Sequence, residues 1–270
     1  MISGIIEGFY GPPWSHETRL DFIDFLAAHG GNTYVWAAKL EPRHRELWAE
    51  PFTSDELAQF AELASQQESV QVLIGLTPGS DATSEQLISK MRPTIENGGH
   101  GVILSFDDLP VLDAATKHRD LANDLIEQLN TQVWLVPTHY AGTTSSPYLE
   151  QLFNGLHEEV LVMWTGVHVV NDSITARDAQ QRSAACDHRK PLLWDNTPED
   201  VAAGAKPVEV EGLAKPVAAR LMGVAEDYVL PSSESAALKL MGDAVAVPVV
   251  RALSEGLLRP ALDAPGRIAA

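Results

Sequence analysis

Seven short apolar runs, each ending in a polar or glycine-rich cluster and most followed by a helix-like segment, fill the chain up to Asn196. They are GIIEGFYG (Gly4–Gly11), NTYVWAAK (Asn32–Lys39), VQVLIGLTPGSD (Val70–Asp81), GVILSFDDLP (Gly101–Pro110), QVWLVPTHYAG (Gln132–Gly142), EVLVMWTGVHVV (Glu159–Val170) and PLLWDN (Pro191–Asn196). Strands that alternate with helices must lie parallel, because each helix carries the chain back to the edge where the next strand begins. The intervening helices are readable. Ser15 is placed to cap the first, Leu20, Ile23, Phe25 and Leu26 form its apolar stripe, and Gly30 and Gly31 stop it. Further helices are expected over Ser54–Gln67, Ser84–Glu96, His118–Leu129, Pro147–Leu156 and Thr175–Ala185. Leu121, Leu125 and Leu129 recur at the four-residue spacing that lines one helix face.

Seven such units in about 200 residues suit a (β/α)8 barrel of TIM type better than an open doubly wound sheet. The phosphate-cradling GxGxxG turn of many nucleotide-binding sheets is also absent. After Asp200 the pattern changes. Residues 201–212 are rich in Ala, Gly and Pro and read as a linker or irregular closure, 213–260 as a small helical appendage, and 261–270 as a tail. An eighth strand has one weak candidate, Pro207–Leu213, so the eighth βα unit is expected to be atypical or incomplete.

Unusual polar and aromatic residues sit just past the apolar part of successive runs: Glu7-Gly8-Phe9-Tyr10, Lys39, Asp81, Asp107-Asp108, His139-Tyr140, Trp164-Thr165 and Trp194-Asp195-Asn196. In a barrel these places converge on the C-terminal mouth, where active sites are built. Two neighbouring carboxylates repel when both are ionised, so the Asp107–Asp108 pair favours holding one proton, as acid/base work on a glycosidic bond requires. Aspartate is also common in turns at strand ends, and the pair alone leaves both readings open.

The totals narrow the field. A net charge of −18, from 37 acidic against 19 basic residues, argues against a general phosphate-binding surface, so direct nucleic-acid binding is not expected. The single cysteine, Cys186, allows no internal disulfide and no thiolate cluster for a metal. No leader-like segment opens the sequence and no apolar run reaches the roughly 18 residues a membrane span needs, so a cytoplasmic protein is expected.

The motifs GIIEGFYGPPWSHETR, NTYVWAAK, EPRHRELWAEPF, GLTPGSD, the FDD pair, HRDLAN, VPTHYAG, MWTG and LLWDN occur in an order and spacing that resemble family 84 of the glycoside hydrolases. This family comprises the O-GlcNAcases and related bacterial β-N-acetylglucosaminidases, once called hyaluronidase-like. The resemblance covers residues 2–200 and implies a (β/α)8 barrel that removes terminal β-linked N-acetylglucosamine with retention. It implies substrate assistance: the sugar's acetamido oxygen is the nucleophile and an oxazoline the intermediate, so no metal or organic cofactor is needed. By resemblance, Asp107 orients the acetamido N–H, Asp108 is the general acid and base, and Tyr140 hydrogen-bonds the acetamido oxygen. Gly8 and Lys39 hold sugar hydroxyls, and Trp194 and Asn196 line the acetamido pocket. Phe9, Tyr10, Trp164 and Asp200 complete the expected sugar site.

The sequence departs from the family pattern in places. Lys39 is followed by Leu40-Glu41 where the family has an acidic residue directly after the lysine. His139 stands in place of a glutamate, and Asp200 lies four residues past Asn196 where the pattern has five. A later sugar-contacting asparagine has no counterpart. The expectation is weaker or altered sugar binding.

Residues 213–258, with ARLMGVAEDYVLP and ALKLMGDAVAVPVVRAL, resemble the last two motifs of DNA cytosine-5 methyltransferases. The catalytic Pro-Cys, ENV and S-adenosylmethionine motifs are missing. The alternative function is therefore a non-catalytic module that binds a sugar or modified nucleotide and associates with a split methyltransferase-like partner.

Overall fold

A computed structural model of the chain describes residues 2–8, 12–107, 114–195 and the backbone of 209–210. The chain divides into two units, Met1–Val208 and Glu209–Ala270. In the second, the described residues form one short strand at Glu209–Val210. Of the residues expected in the site, Phe9, Tyr10, Asp108, Asn196 and Asp200 lie outside the described residues, as do the linker, the methyltransferase-like segment and the tail apart from Glu209–Val210.

The first unit alternates strands and helices: β1 (Gly4–Glu7), α1 (His16–Ala28), β2 (Thr33–Trp36), α2 (Ser54–Ser65), β3 (Gln71–Leu76), α3 (Ser84–Glu96), β4 (Gly101–Ser105), α4 (Ala115–Leu129), β5 (Gln132–Val136), α5 (Pro147–Phe153), β6 (Leu161–Trp164), β7 (Ser173–Ile174), α6 (Ala176–Ala185) and β8 (Leu192–Leu193). The helices start where hydroxyl side chains can satisfy the first free N–H groups. Ser15 caps α1 and Ser146 caps α5, while Thr53, Thr83 and Thr175 close reciprocal capping boxes with Glu56, Gln86 and Asp178. Helix α4 begins at Ala115, three residues before the expected start, on an Ala114 N-cap that offers no side-chain bond.

Seven strands pair in the order β1-β2-β3-β4-β5-β6-β8, every pair parallel. Sequential order is what separates a singly wound, barrel-like sheet from a doubly wound one, whose order reverses at a switch point. Right-handed crossovers in one direction put all the helices on one face, so the other face must curl to bury itself. The side chains sort accordingly by the two-residue period of a strand. Tyr34, Trp36, Val72, Ile74, Leu76, Val102, Leu104, Phe106, Val133, Leu135 and Val162 join the large core under the helices. Val35, Ala37, Leu73, Ile103, Trp134, Val136 and Met163 form a second, inner cluster, with Ile6, Leu192 and Trp194 packed on it. This is a (β/α)8-type barrel architecture, curled from seven parallel strands among the described residues.

Glycine is required where backbones close in. A Cβ on Gly75 would stand 2.7 Å from the Ala37 Cβ and from the Trp36 carbonyl oxygen, inside the curl between β2 and β3.

Candidate active site

The inner parity continues past the strand ends and selects the site. Counting in twos from Ile103 passes Ser105 and reaches Asp107; from Val35 it reaches Lys39, from Ile6 Gly8, and from Leu192 Trp194. Gly8, Lys39, Ser105, Asp107 and Trp194 line one small cavity at the strands' C-terminal ends, together with His44 and Val136. Its volume is about 20 Å³, room for a water molecule. A larger groove of about 610 Å³ between α3 and α4, lined by Ser84, Arg92 and Asp124 among others, contains none of the expected site residues.

Within the cavity, Lys39 Nζ donates to Asp107 Oδ2 at 3.2 Å, and both side chains are more than nine-tenths buried. The other carboxylate oxygen, Oδ1, is also buried and meets no hydrogen-bond donor among the described residues. A carboxylate withdrawn from water with one oxygen unpaired is costly unless something arrives to fill it, so Asp107 presents a ready acceptor for an N–H or O–H group. Tyr140 packs on Trp194, ring centroids 5.7 Å apart.

A family model described as beta-N-acetylglucosaminidase (NAGidase) matches residues 3–227. The chain belongs to the beta-N-acetylglucosaminidase family. It is similar to the Protein O-GlcNAcase of Rattus norvegicus and that of Mus musculus, at 28% identity over 222 residues in each case. That alignment takes in 73% of this chain but 24% of each relative, so the chain spans about a quarter of the length of these curated proteins. Among solved structures, a variant of the Thermobaculum terrenum O-GlcNAc hydrolase aligns with a TM-score of 0.69 at 25% identity, covering 95% of this chain and 63% of that one. The protein titled CpGH84B aligns with a TM-score of 0.67 at 27% identity, covering 73% and 39%. The family match runs past residue 200, into the segment that resembles the methyltransferase motifs.

Four of the beta-N-acetylglucosaminidase-type residues expected from the sequence, Gly8, Lys39, Asp107 and Trp194, thus meet in one cavity, and Tyr140 packs on the last of them. Trp164 stands apart. It has the parity of Val162, which faces the helices, and is buried with its indole N–H donated to the Gly142 carbonyl at 2.9 Å. Its contribution is to the Tyr140 loop. That loop is pinned from several sides: Thr165 N–H donates to the Tyr140 carbonyl, Gly142 N–H to the Gly166 carbonyl, and the buried Arg182 to the His139 carbonyl at 2.8 Å.

Glu7 also turns away from the mouth. Its parity is opposite to that of Gly8, so it faces α1, fully buried, where Arg19 binds both its oxygens at 2.8 and 3.0 Å and Tyr34 donates to it. Arg19 also holds Glu41, the acidic residue one position later than the family pattern places it. Burial works to lower the Arg19 pKa, but the hydrogen bonds and charge of Glu7 and Glu41 outweigh it and raise the pKa overall.

His44 is a cavity residue that sequence reasoning missed. It lies in the turns between β2 and α2, 1% exposed, with Nε2 3.4 Å from Thr77 Oγ1 and its ring edge-on to Trp36. Burial pushes its pKa down to about 4; the Gly75 carbonyl opposes this from beyond normal hydrogen-bond geometry, and the cations Lys39, Arg45 and Lys90 add to it. The imidazole is therefore neutral in ordinary buffers. Lys90 fixes the segment that carries it, donating to the carbonyls of Arg43 and Glu50 at 2.8 Å each.

Proposed function

We propose that the chain is a retaining β-N-acetylglucosaminidase that uses the substrate's own acetamido group as nucleophile. The observation that supports this reading is the Oδ1 of Asp107, buried and without a donor among the described residues, in the cavity at the strands' C-terminal ends. An N-acetylglucosamine seated over it supplies the missing N–H. Accepting that hydrogen bond turns the acetamido oxygen toward the anomeric carbon and stabilises the positive charge that builds on the amide nitrogen as the ring closes. Lys39, held on Oδ2, fixes which oxygen faces the sugar.

In the first step the acetamido oxygen attacks the anomeric carbon. The bond to the leaving oxygen breaks as that oxygen takes a proton from Asp108. In the second step the Asp108 carboxylate removes a proton from water, the water oxygen attacks the same carbon and the oxazoline opens. Two inversions give retention. Tyr140 donates its hydroxyl to the acetamido oxygen, and Trp194, with Asn196, walls the methyl group. Gly8 offers close backbone approach to the sugar, while Phe9, Tyr10 and Asp200 flank it. With Glu41 engaged by Arg19, fewer acceptors remain for sugar hydroxyls, so binding is weak relative to catalysis.

The test is hydrolysis of para-nitrophenyl N-acetyl-β-glucosaminide by the purified chain. Turnover that a thiazoline analogue of the oxazoline blocks supports the reading. Failure to turn over any aryl β-hexosaminide contradicts it.

A further inference from the structure

Behind the cavity, four residues from four different elements close a ring. Phe106, the residue between β4 and Asp107, lies flat on the His118 imidazole of α4, centroids 3.8 Å apart and planes 4° from parallel. His118 Nδ1 is 2.9 Å from the Tyr148 hydroxyl of α5. That hydroxyl accepts the Thr138 backbone N–H at 3.1 Å, and Thr138 Oγ1 donates to the Phe106 carbonyl at 2.9 Å. Phe106, His118 and Tyr148 are all more than nine-tenths buried.

The directions of the protons follow from the inventory. The Tyr148 hydroxyl accepts from Thr138 and has His118 Nδ1 within reach for its own proton, an arrangement in which that nitrogen is the bare one of a neutral ring. Burial, with Lys117 nearby, pushes the His118 pKa down to about 4, which keeps the ring neutral. Three hydrogen bonds and one stacked contact close the ring, and networks of this kind are stiff when complete. The ring's two ends are the loops that matter: Phe106 immediately precedes the Asp107–Asp108 pair, and Thr138 lies two residues before Tyr140.

We propose that His118, Tyr148 and Thr138 are positioning residues that lock the carboxylate turn after β4 to the tyrosine loop after β5. The inference rests on the glycosidase reading only for its catalytic consequence. None of the three touches substrate. Together they set the distance between the groups that address the two ends of the acetamido group, and displacing such groups by about an ångström costs up to about a hundredfold in rate.

The experiment compares Thr138→Val, which keeps the shape and removes the hydroxyl, with Thr138→Ser, which keeps the hydroxyl. Tyr148→Phe breaks the ring at a second point. Two measurements are made on each: kcat and KM on para-nitrophenyl N-acetyl-β-glucosaminide well below the melting temperature, and backbone amide exchange at residues 106–107 and 139–141. The expected result is a kcat about ten- to a hundredfold lower in Thr138→Val and Tyr148→Phe with KM within about twofold, kcat restored in Thr138→Ser, and faster exchange in both loops at once. Exchange that quickens in one loop alone, or lower melting temperatures with kcat unchanged, overturns the proposal. If the wild type turns over no hexosaminide, the glycosidase reading falls and amide exchange alone decides: coupled loosening of both loops upholds the lock, and its absence removes it.

Discussion

Replacing Lys39 with methionine tests the ion pair on which the site is built. Lys39 Nζ and Asp107 Oδ2 are 3.2 Å apart, with side chains 8% and 6% exposed. Unit charges at that distance attract by about 5 kcal/mol at an effective dielectric constant of 20, against about 1 kcal/mol in bulk water. The burial places this pair nearer the first figure. Methionine keeps the alkyl stem but leaves a buried carboxylate with no cation on one oxygen and no donor on the other. Stripping one partner from a buried pair costs about 3–5 kcal/mol, so Lys39→Met is expected to lose that much stability. Asp107→Asn is also expected to lose stability, because it takes the charged partner from a buried lysine. The double variant removes both charges and is expected to recover about 1–3 kcal/mol relative to the sum of the single losses. Urea denaturation followed by tryptophan fluorescence gives all four corners of the cycle. A Lys39→Met protein within 0.5 kcal/mol of wild type, or strictly additive losses, would refute the pairing.

Other outcomes follow from the same geometry. His44 and His118 both have pKa values depressed to about 4 by burial, so between about pH 6.5 and 4 the unfolded chain binds protons that the folded chain refuses. Stability is therefore full above about pH 6.5 and falls as the pH drops toward 4, by about 3 kcal/mol per histidine. His118→Gln should flatten that slope in urea titrations across the range; an unchanged slope counts against the burial. Arg19→Met leaves Glu7 buried without its cation at the C-terminal end of β1, and chemical denaturation is expected to show a loss of about 3–5 kcal/mol. Asp108→Asn should lower kcat on alkyl N-acetyl-β-glucosaminides by about a hundredfold or more and on nitrophenyl glycosides by less, since a good leaving group needs less acid assistance; equal losses would remove the general-acid role.

The barrel was legible because its strands are short, apolar and repeated. Parity also carried real information. Ile103 faces inward, so Asp107 must, and the same count holds for Lys39 and Trp194. The count would equally have separated Glu7 and Trp164 from the mouth, since each lies one position out of phase with an inward neighbour. Reading the strand tips as clusters, rather than in twos, grouped them with the site. His44 was invisible for a different reason. It sits among the turns of EPRHRELWAEP, which have no period, and its burial is imposed by Lys90 reaching across from α3. The lock of His118, Tyr148 and Thr138 was hidden because its members lie on three elements, and HRDLAN and SPYL read as ordinary helix sequence. The start of α4 carries no sequence signal because Ala114 has no capping side chain.

The central claim is that the open oxygen of Asp107 is a receptor for an acetamido group. The most direct measurement is the ratio of kcat/KM for para-nitrophenyl N-acetyl-β-glucosaminide to that for para-nitrophenyl β-glucoside, in wild type and in Asp107→Ala. The account predicts a ratio of at least about a thousand in wild type, collapsing in the variant as the faster substrate slows. A wild-type ratio near one, or a large ratio that survives the loss of Asp107, would contradict it.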